Sequence, residues 1–138
     1  MLDLGTEFGA RAARRLGEEI VAWLTTVRED GMPVPVPVWF LWDGESALIY
    51  SQPNTGKLRN LAHSPKASLH LNATHDGGDV IVLVGEARVD AAAPRADHVP
   101  EYVAKYREEI AALPAELEPW SLDYSVPIRF VPTRVTGF

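Results

Sequence analysis

Hydrophobic residues follow two rhythms along this chain. Between Thr6 and Glu19, Phe8, Ala12 and Leu16 fall four apart in an Ala-rich stretch, the spacing of a helix with one buried side. Arg11 and Arg15 fall on its polar side, where solvated arginines are expected. A contact with the acidic tail of a ligand is their alternative role.

From Ile20 the period changes. Ile20–Val27 is rich in β-branched and aromatic residues, Glu29-Asp30-Gly31 reads as a turn with Gly where positive φ is required, and Pro33–Trp42 follows. Asp43-Gly44 then separates this run from Ala47–Ser51, a hairpin signal. Three consecutive antiparallel strands are expected. Ser51–Lys57 reads as a loop and Gly56–His63 as a short helix with Leu58 and Leu61 inward. Ala67–Leu71 and Val80–Val89 read as two further strands about a turn at His75-Asp76-Gly77-Gly78. Pro94–Leu113 reads as a long helix whose stripe is Val99, Val103, Tyr106, Ile110 and Leu113, with covering the sheet as its expected role. Ser125–Thr136 alternates as a closing strand. Six strands, mostly antiparallel, with a short helix after the third and a longer one before the last, make a mainly β (α+β) small barrel with helical covers.

Pro33, Pro35 and Pro37 alternate. Their missing donors cannot face the carbonyls of a neighbouring strand. Either one edge of this segment is unpaired, free for a loop, a subunit or a ligand, or the segment begins as polyproline and pairs only from Val38 onward.

At 138 residues the chain has room for one domain, residues 1–138, with one core. It contains no cysteine, which excludes disulfides, thiolate metal sites and a cysteine nucleophile. A net charge of −6 argues against a nucleic-acid surface, so any anion binds locally. The apolar runs Ile20–Val27 and Val34–Trp42 fall short of the roughly 20 residues of a membrane helix. The N-terminus lacks a basic region, and the expected location is the cytoplasm.

The loop Ser51–Lys57 is the leading site candidate. It joins a strand to a helix N-terminus, where free N–H groups and the helix dipole favour an anion. Ser51 and Thr55 offer hydroxyls, and Lys57 and Arg59 offer charge. The Thr-Gly-Lys string is not a P-loop, since Ser51 stands at the first glycine position and Leu58 at the Ser/Thr position. His63, His70, His75 and His98 are scattered, no serine sits in a nucleophile elbow, and Asp30, Asp43 and Asp76 each precede a turn glycine. With no nucleophile and no acid–base pair, an enzyme of this sequence would rely on a bound cofactor, gripped as an anion and seated in an apolar slot. Val36, Pro37, Val38 and Trp39 would floor that slot.

Trp23-Leu24-Thr25-Thr26-Val27 with Asp30-Gly31-x-Pro33, then Pro37-Val38-Trp39-Phe40, then Tyr50-Ser51-Gln52-Pro53-x-Thr55-x-Lys57-Leu58-Arg59-Asn60-Leu61 resembles the pyridoxamine 5'-phosphate oxidase-like split β-barrel superfamily. Within it, the chain is most similar to the branch of flavin/deazaflavin oxidoreductases that use coenzyme F420. The resemblance runs from about Leu16 to Phe138. It implies a split barrel of the FMN-binding type and a homodimer with cofactor sites in clefts between subunits. It places Ser51, Thr55, Gly56 and Lys57 on the phosphate-binding loop, with Asn60 and Arg59 beside it and the ring against Val36–Trp39. The second strand lacks the basic residue that the oxidases direct to the flavin phosphate, Gly56 precedes Lys57, and no C-terminal substrate segment is evident. The resemblance therefore implies F420, a phosphodiester, ahead of FMN. The implied reaction passes a hydride from C5 of reduced F420 to an electron-poor conjugated small molecule, with solvent supplying the proton and no catalytic side chain. A non-catalytic protein of the same fold that holds F420, flavin or haem is the alternative, as is an FMN-dependent reductase.

Overall fold

The computed structural model describes residues 2–138. Helix α1 (Glu7–Glu18) leads into strands β1 (Val21–Val27), β2 (Pro33–Trp39), β3 (Leu41–Trp42) and β4 (Ala47–Ser51). Helix α2 (Gly56–His63), strands β5 (Lys66–Leu71) and β6 (Ile81–Val89), helices α3 (Pro100–Ala112) and α4 (Leu117–Asp123) and strand β7 (Val126–Gly137) follow. The seven strands form one curled antiparallel sheet in the order β2-β1-β5-β6-β7-β4-β3. At the β6 bulge between Val84 and Gly85, a Cβ on Gly85 would lie 2.2 Å from the Val131 carbonyl oxygen, so the close passage of β7 requires glycine there.

The two ends of the sheet, β2 and β3, are consecutive in sequence, with Phe40 alone between them. The expected second strand is therefore two strands: β2 pairs with β1 and β3 pairs with β4, which corrects both the strand count of six and the simple three-strand meander. The unbroken apolar run hides this corner, because Val38, Trp39, Phe40, Leu41 and Trp42 are all suited to a strand. Phe40 is held at the corner by α3. The Tyr106 hydroxyl accepts from the Phe40 N–H at 2.8 Å and donates to the Ile20 carbonyl at 2.7 Å, and the Lys105 ammonium donates to the Phe40 carbonyl at 2.7 Å. That ammonium also lies 3.9 Å from the Phe40 ring centroid, a cation–π contact.

Of the two readings of the alternating prolines, the first holds. Pairing begins at Pro33 opposite Val27 and runs unbroken to Trp39 opposite Val21. β2 has a neighbour on one side only, so the ladder uses the N–H groups of the intervening valines and the prolines leave the outer edge without donors.

Inside the curl, Leu24, Phe40, Ile49, Leu69, Leu83, Ile128 and Phe130 pack with Ala12 and Leu16 of α1. A second cluster, Leu48, Tyr50, Tyr102, Tyr106, Ile110 and Trp120, fills the space between the outer side of β4 and helices α3 and α4. Covered on both faces, β4 is buried at all five positions, which accounts for its continuous apolar sequence.

Helix α3 starts later than the Pro94 boundary suggests. Ala96–His98 form a separate 3-10 turn, Val99 is extended (φ −108°, ψ 101°) and Pro100 opens the helix. A proline forces its predecessor out of the α region and suits a first helical turn. In the expected stripe Val103, Tyr106 and Ile110 are buried, but Leu113 is exposed, and Tyr102 joins the buried set. Helix α4 has no counterpart in the sequence reading, because Pro114 and Pro119 break the pattern around it.

Arg11 and Arg15 of α1 are not free surface groups. Arg15 is 9% exposed. Its guanidinium binds Glu19 at 2.6 Å, the Asn72 carbonyl at 2.7 Å and the Asp79 carboxylate at 3.2 Å, while Arg11 lies 3.2 Å from the same carboxylate. Both arginines thus tie α1 to the β5–β6 hairpin. Their charges are already matched by carboxylates of the protein.

Burial lowers the pKa of Lys105 from 10.5 to about 8, against the opposing pull of Glu19 and Glu109. In the unfolded chain the group stays protonated up to its ordinary value, so between about pH 8 and 10.5 the unfolded state binds the extra proton. Stability should therefore rise with pH across that window. Lys105→Met should flatten this rise relative to the parent, measured as denaturant midpoints from pH 7 to 10, whatever its effect on absolute stability. Parallel profiles for the two proteins would show that the ammonium is not penalised by its surroundings.

Candidate functional site

The loop that follows β4 turns sharply at Asn54, whose φ is +64°, and delivers Thr55 as the residue preceding α2. Ser51 is fully buried and its hydroxyl donates to the Gln52 carbonyl at 2.7 Å. The Thr55 hydroxyl, 3.1 Å away, is then the donor to Ser51 and does not cap the helix. The first-turn N–H groups of α2 are left to solvent or to an anion. Arg59 donates to the Asn54 carbonyl at 2.9 Å, and the Asn60 amide donates to the Thr26 hydroxyl at 3.0 Å. These bonds fix the loop to α2 and α2 to β1.

Thr55, Gly56, Lys57, Arg59 and Asn60 line a cavity of about 430 Å³ together with Val34 and Val36 of β2 and with Thr26 and Arg28. Lys57 also lines a second cavity, of about 320 Å³, whose other walls include Pro37, Val38 and Trp39. Of the residues anticipated from sequence, all except Ser51 thus line one of two adjoining cavities along β2, and Ser51 lies beneath the loop that presents them. Among the described residues Lys57 has no ion pair. Burial holds its ammonium below the ordinary lysine value. A half-buried cation without a counter-charge is poised to gain from an incoming anion.

Sequence reasoning did not find Arg28, which brings a third cation to the first cavity and is paired with Asp30 of the adjacent turn. It stands among turn residues, so only its position at the end of β1 gives it this role. The part of the second cavity's wall made by Tyr50, Tyr102, Trp120 and Tyr124 was also unforeseen. Tyr106, Trp39, Trp120 and Tyr124 form a continuous run of near-parallel rings, with successive centroids 4.9, 5.6 and 4.7 Å apart. Trp120 and Tyr124, four residues apart, were the available signal, but they lie in the segment whose helix the prolines concealed. Burial raises the Tyr50 pKa to about 12 and pushes that of Tyr102 up further. Both phenols are neutral under ordinary conditions.

The histidines take no part in this arrangement. His70 lies over Trp23 with ring centroids 6.3 Å apart, and neither cavity has a histidine in its wall among the described residues. No helix among those residues is long and apolar enough to cross a membrane.

No curated protein matches this sequence. Solved structures do share its fold. An F420 reductase is 23% identical with a TM-score of 0.65, over 89% of this chain and 94% of that one. The haem storage protein HutZ from Vibrio cholerae is 14% identical with a TM-score of 0.68, over 96% and 95% of the two chains. An FAD-binding protein from Mesorhizobium loti is 15% identical with a TM-score of 0.66, over 91% and 90%. At these identities the likeness concerns the fold. The family described as pyridoxamine 5'-phosphate oxidase matches residues 8–136, nearly the whole barrel, and the chain belongs to that family.

Proposed function

We propose that this protein is an oxidoreductase that binds the deazaflavin coenzyme F420 and transfers a hydride between it and an electron-poor, conjugated small molecule. The observation that carries this reading is the position of Lys57, an unpaired, half-buried ammonium on the wall common to a cationic cavity and an aromatic one. A ligand with an anion joined to a planar ring system suits that pair of cavities. Lys57, Arg59, Arg28 and the first-turn N–H groups of α2 would hold the phosphodiester, and the backbone from Val36 to Trp39 would support the ring. Bound F420 supplies the hydride at C5. The protein contributes grip, orientation and an apolar and aromatic surface for the ring. No side chain is needed as the acid, since solvent can deliver the proton.

FMN is the second reading, favoured by Arg28: a third cation on the anion cavity adds charge suited to a terminal phosphate. We further propose a homodimer that completes the cofactor sites. A second copy would dock on β2 by side chains, because the prolines deny it a backbone ladder.

Titrating the purified protein with oxidised F420 and, in parallel, with FMN, by cofactor fluorescence or heat, tests the assignment. Tight F420 binding with weak FMN binding is expected. The reverse preference would replace F420 by FMN, and binding of neither would remove the cofactor reading.

A further inference from the structure

Tyr102 is 0% exposed and lines the aromatic cavity, yet among the described residues its hydroxyl has no hydrogen-bond partner. Its neighbours are committed. The Tyr50 hydroxyl donates to the Pro94 carbonyl at 2.6 Å, and the Tyr106 hydroxyl serves Phe40 and Ile20. A buried hydroxyl without a partner carries a desolvation cost that folding alone does not recover. Phenylalanine would fill the same space without it. A ligand that brings an acceptor into this cavity would offset that cost.

The rest of the cavity restricts what that ligand is. Among the described residues no carboxylate, amide or histidine lines it. Its hydrogen-bonding side chains are tyrosine hydroxyls, the donor-only indoles of Trp39 and Trp120, and Lys57. Stacked rings favour a flat, conjugated partner. The Lys57 ammonium works against a cationic one, despite the attraction that electron-rich rings offer to cations.

We propose that the Tyr102 hydroxyl is a specificity-determining hydrogen-bond donor for the substrate, selecting planar conjugated molecules that present a carbonyl oxygen, such as quinones and enones. The identification of this ligand as substrate rather than cofactor rests on the cofactor reading above, in which the substrate lies against the cofactor ring and so shares this cavity with it; the donor role of Tyr102 does not.

The test uses 1,4-naphthoquinone and naphthalene as probes, flat molecules that differ in the carbonyl groups. Binding to the wild-type chain and to Tyr102→Phe is measured by calorimetry, without cofactor and again with saturating F420. The wild type should bind the quinone about tenfold more tightly than naphthalene. Tyr102→Phe should lose that preference, bind naphthalene as before and unfold at the same or a higher temperature. An undiminished preference in the variant, or none in the wild type, overturns the proposal. So does a clear fall in unfolding temperature, which would mean that the hydroxyl is already paired in the free protein. If F420 displaces the quinone, the hydroxyl serves the cofactor ring and the substrate assignment is overturned. If F420 does not bind at all, the cofactor reading fails, while the cofactor-free titrations still decide the role of Tyr102.

Discussion

Tyr106→Phe should destabilise the protein by about 2–4 kcal/mol, the cost of leaving two buried polar groups unmatched at about 1–3 kcal/mol each. The hydroxyl satisfies the Phe40 N–H and the Ile20 carbonyl at once, and Tyr106 is fully buried, so water cannot take its place. The ring stays, and with it the stacking on Trp39 at 4.9 Å, so the loss isolates the hydrogen bonds from the packing. Urea denaturation followed by tryptophan fluorescence is the measurement. The midpoint should fall while the slope is preserved, because the surface exposed on unfolding hardly changes. A loss under about 0.5 kcal/mol, within the range of ordinary surface substitutions, would show that Lys105 alone secures the corner at Phe40.

Lys57→Ala should weaken cofactor binding by about 1.5–3 kcal/mol, the range for a hydrogen bond to a charged group, or between about tenfold and 150-fold in Kd. Folding should respond differently. Without its ligand the ammonium is half-buried and unpaired, so its removal should leave stability unchanged or slightly raised. That divergence is the diagnostic, since a residue serving the fold would lower both quantities together. Cofactor titration and thermal unfolding of the same preparation measure the two. Unchanged affinity would move the anion away from α2.

What the sequence made legible was local. The helix Gly56–His63 and the loop before it lie as read, because Gly56 at the start, Ser64-Pro65 after the end and the inward Leu58 and Leu61 define them within a dozen residues. The turn glycines Gly31, Gly44 and Gly77 take positive φ at the expected hairpin turns. What escaped depends on partners far along the chain. Arg15 looks like any helix-surface arginine until Asn72 and Asp79 arrive beneath it. Arg28 looks like a turn residue until α2 folds across from it. The aromatic wall needs α4, whose seven residues carry a proline in their first turn and so offer no period to detect. The anion end of the candidate site is therefore readable from one short loop, whereas the ring end is assembled by tertiary structure.

The single-residue joint between β2 and β3 also bears on kinetics. The local ladders β1–β2, β3–β4 and β5–β6 can form by zipping strands onto their neighbours, but closure of the curl requires β4 to pair with β7 and the corner at Phe40 to meet α3, each more than 60 residues further along the chain. Contacts of that sequence separation form late, and an edge strand held by a single ladder, as β2 is, is among the elements that open most readily. Because β2 floors both cavities, such an opening would release a ligand before the remaining strands separate. Ligand binding would in turn favour the closed form by mass action. Backbone amides of Val34, Val36 and Val38 should then exchange with deuterium more slowly when the site is filled, while amides in the β6–β7 ladder change little.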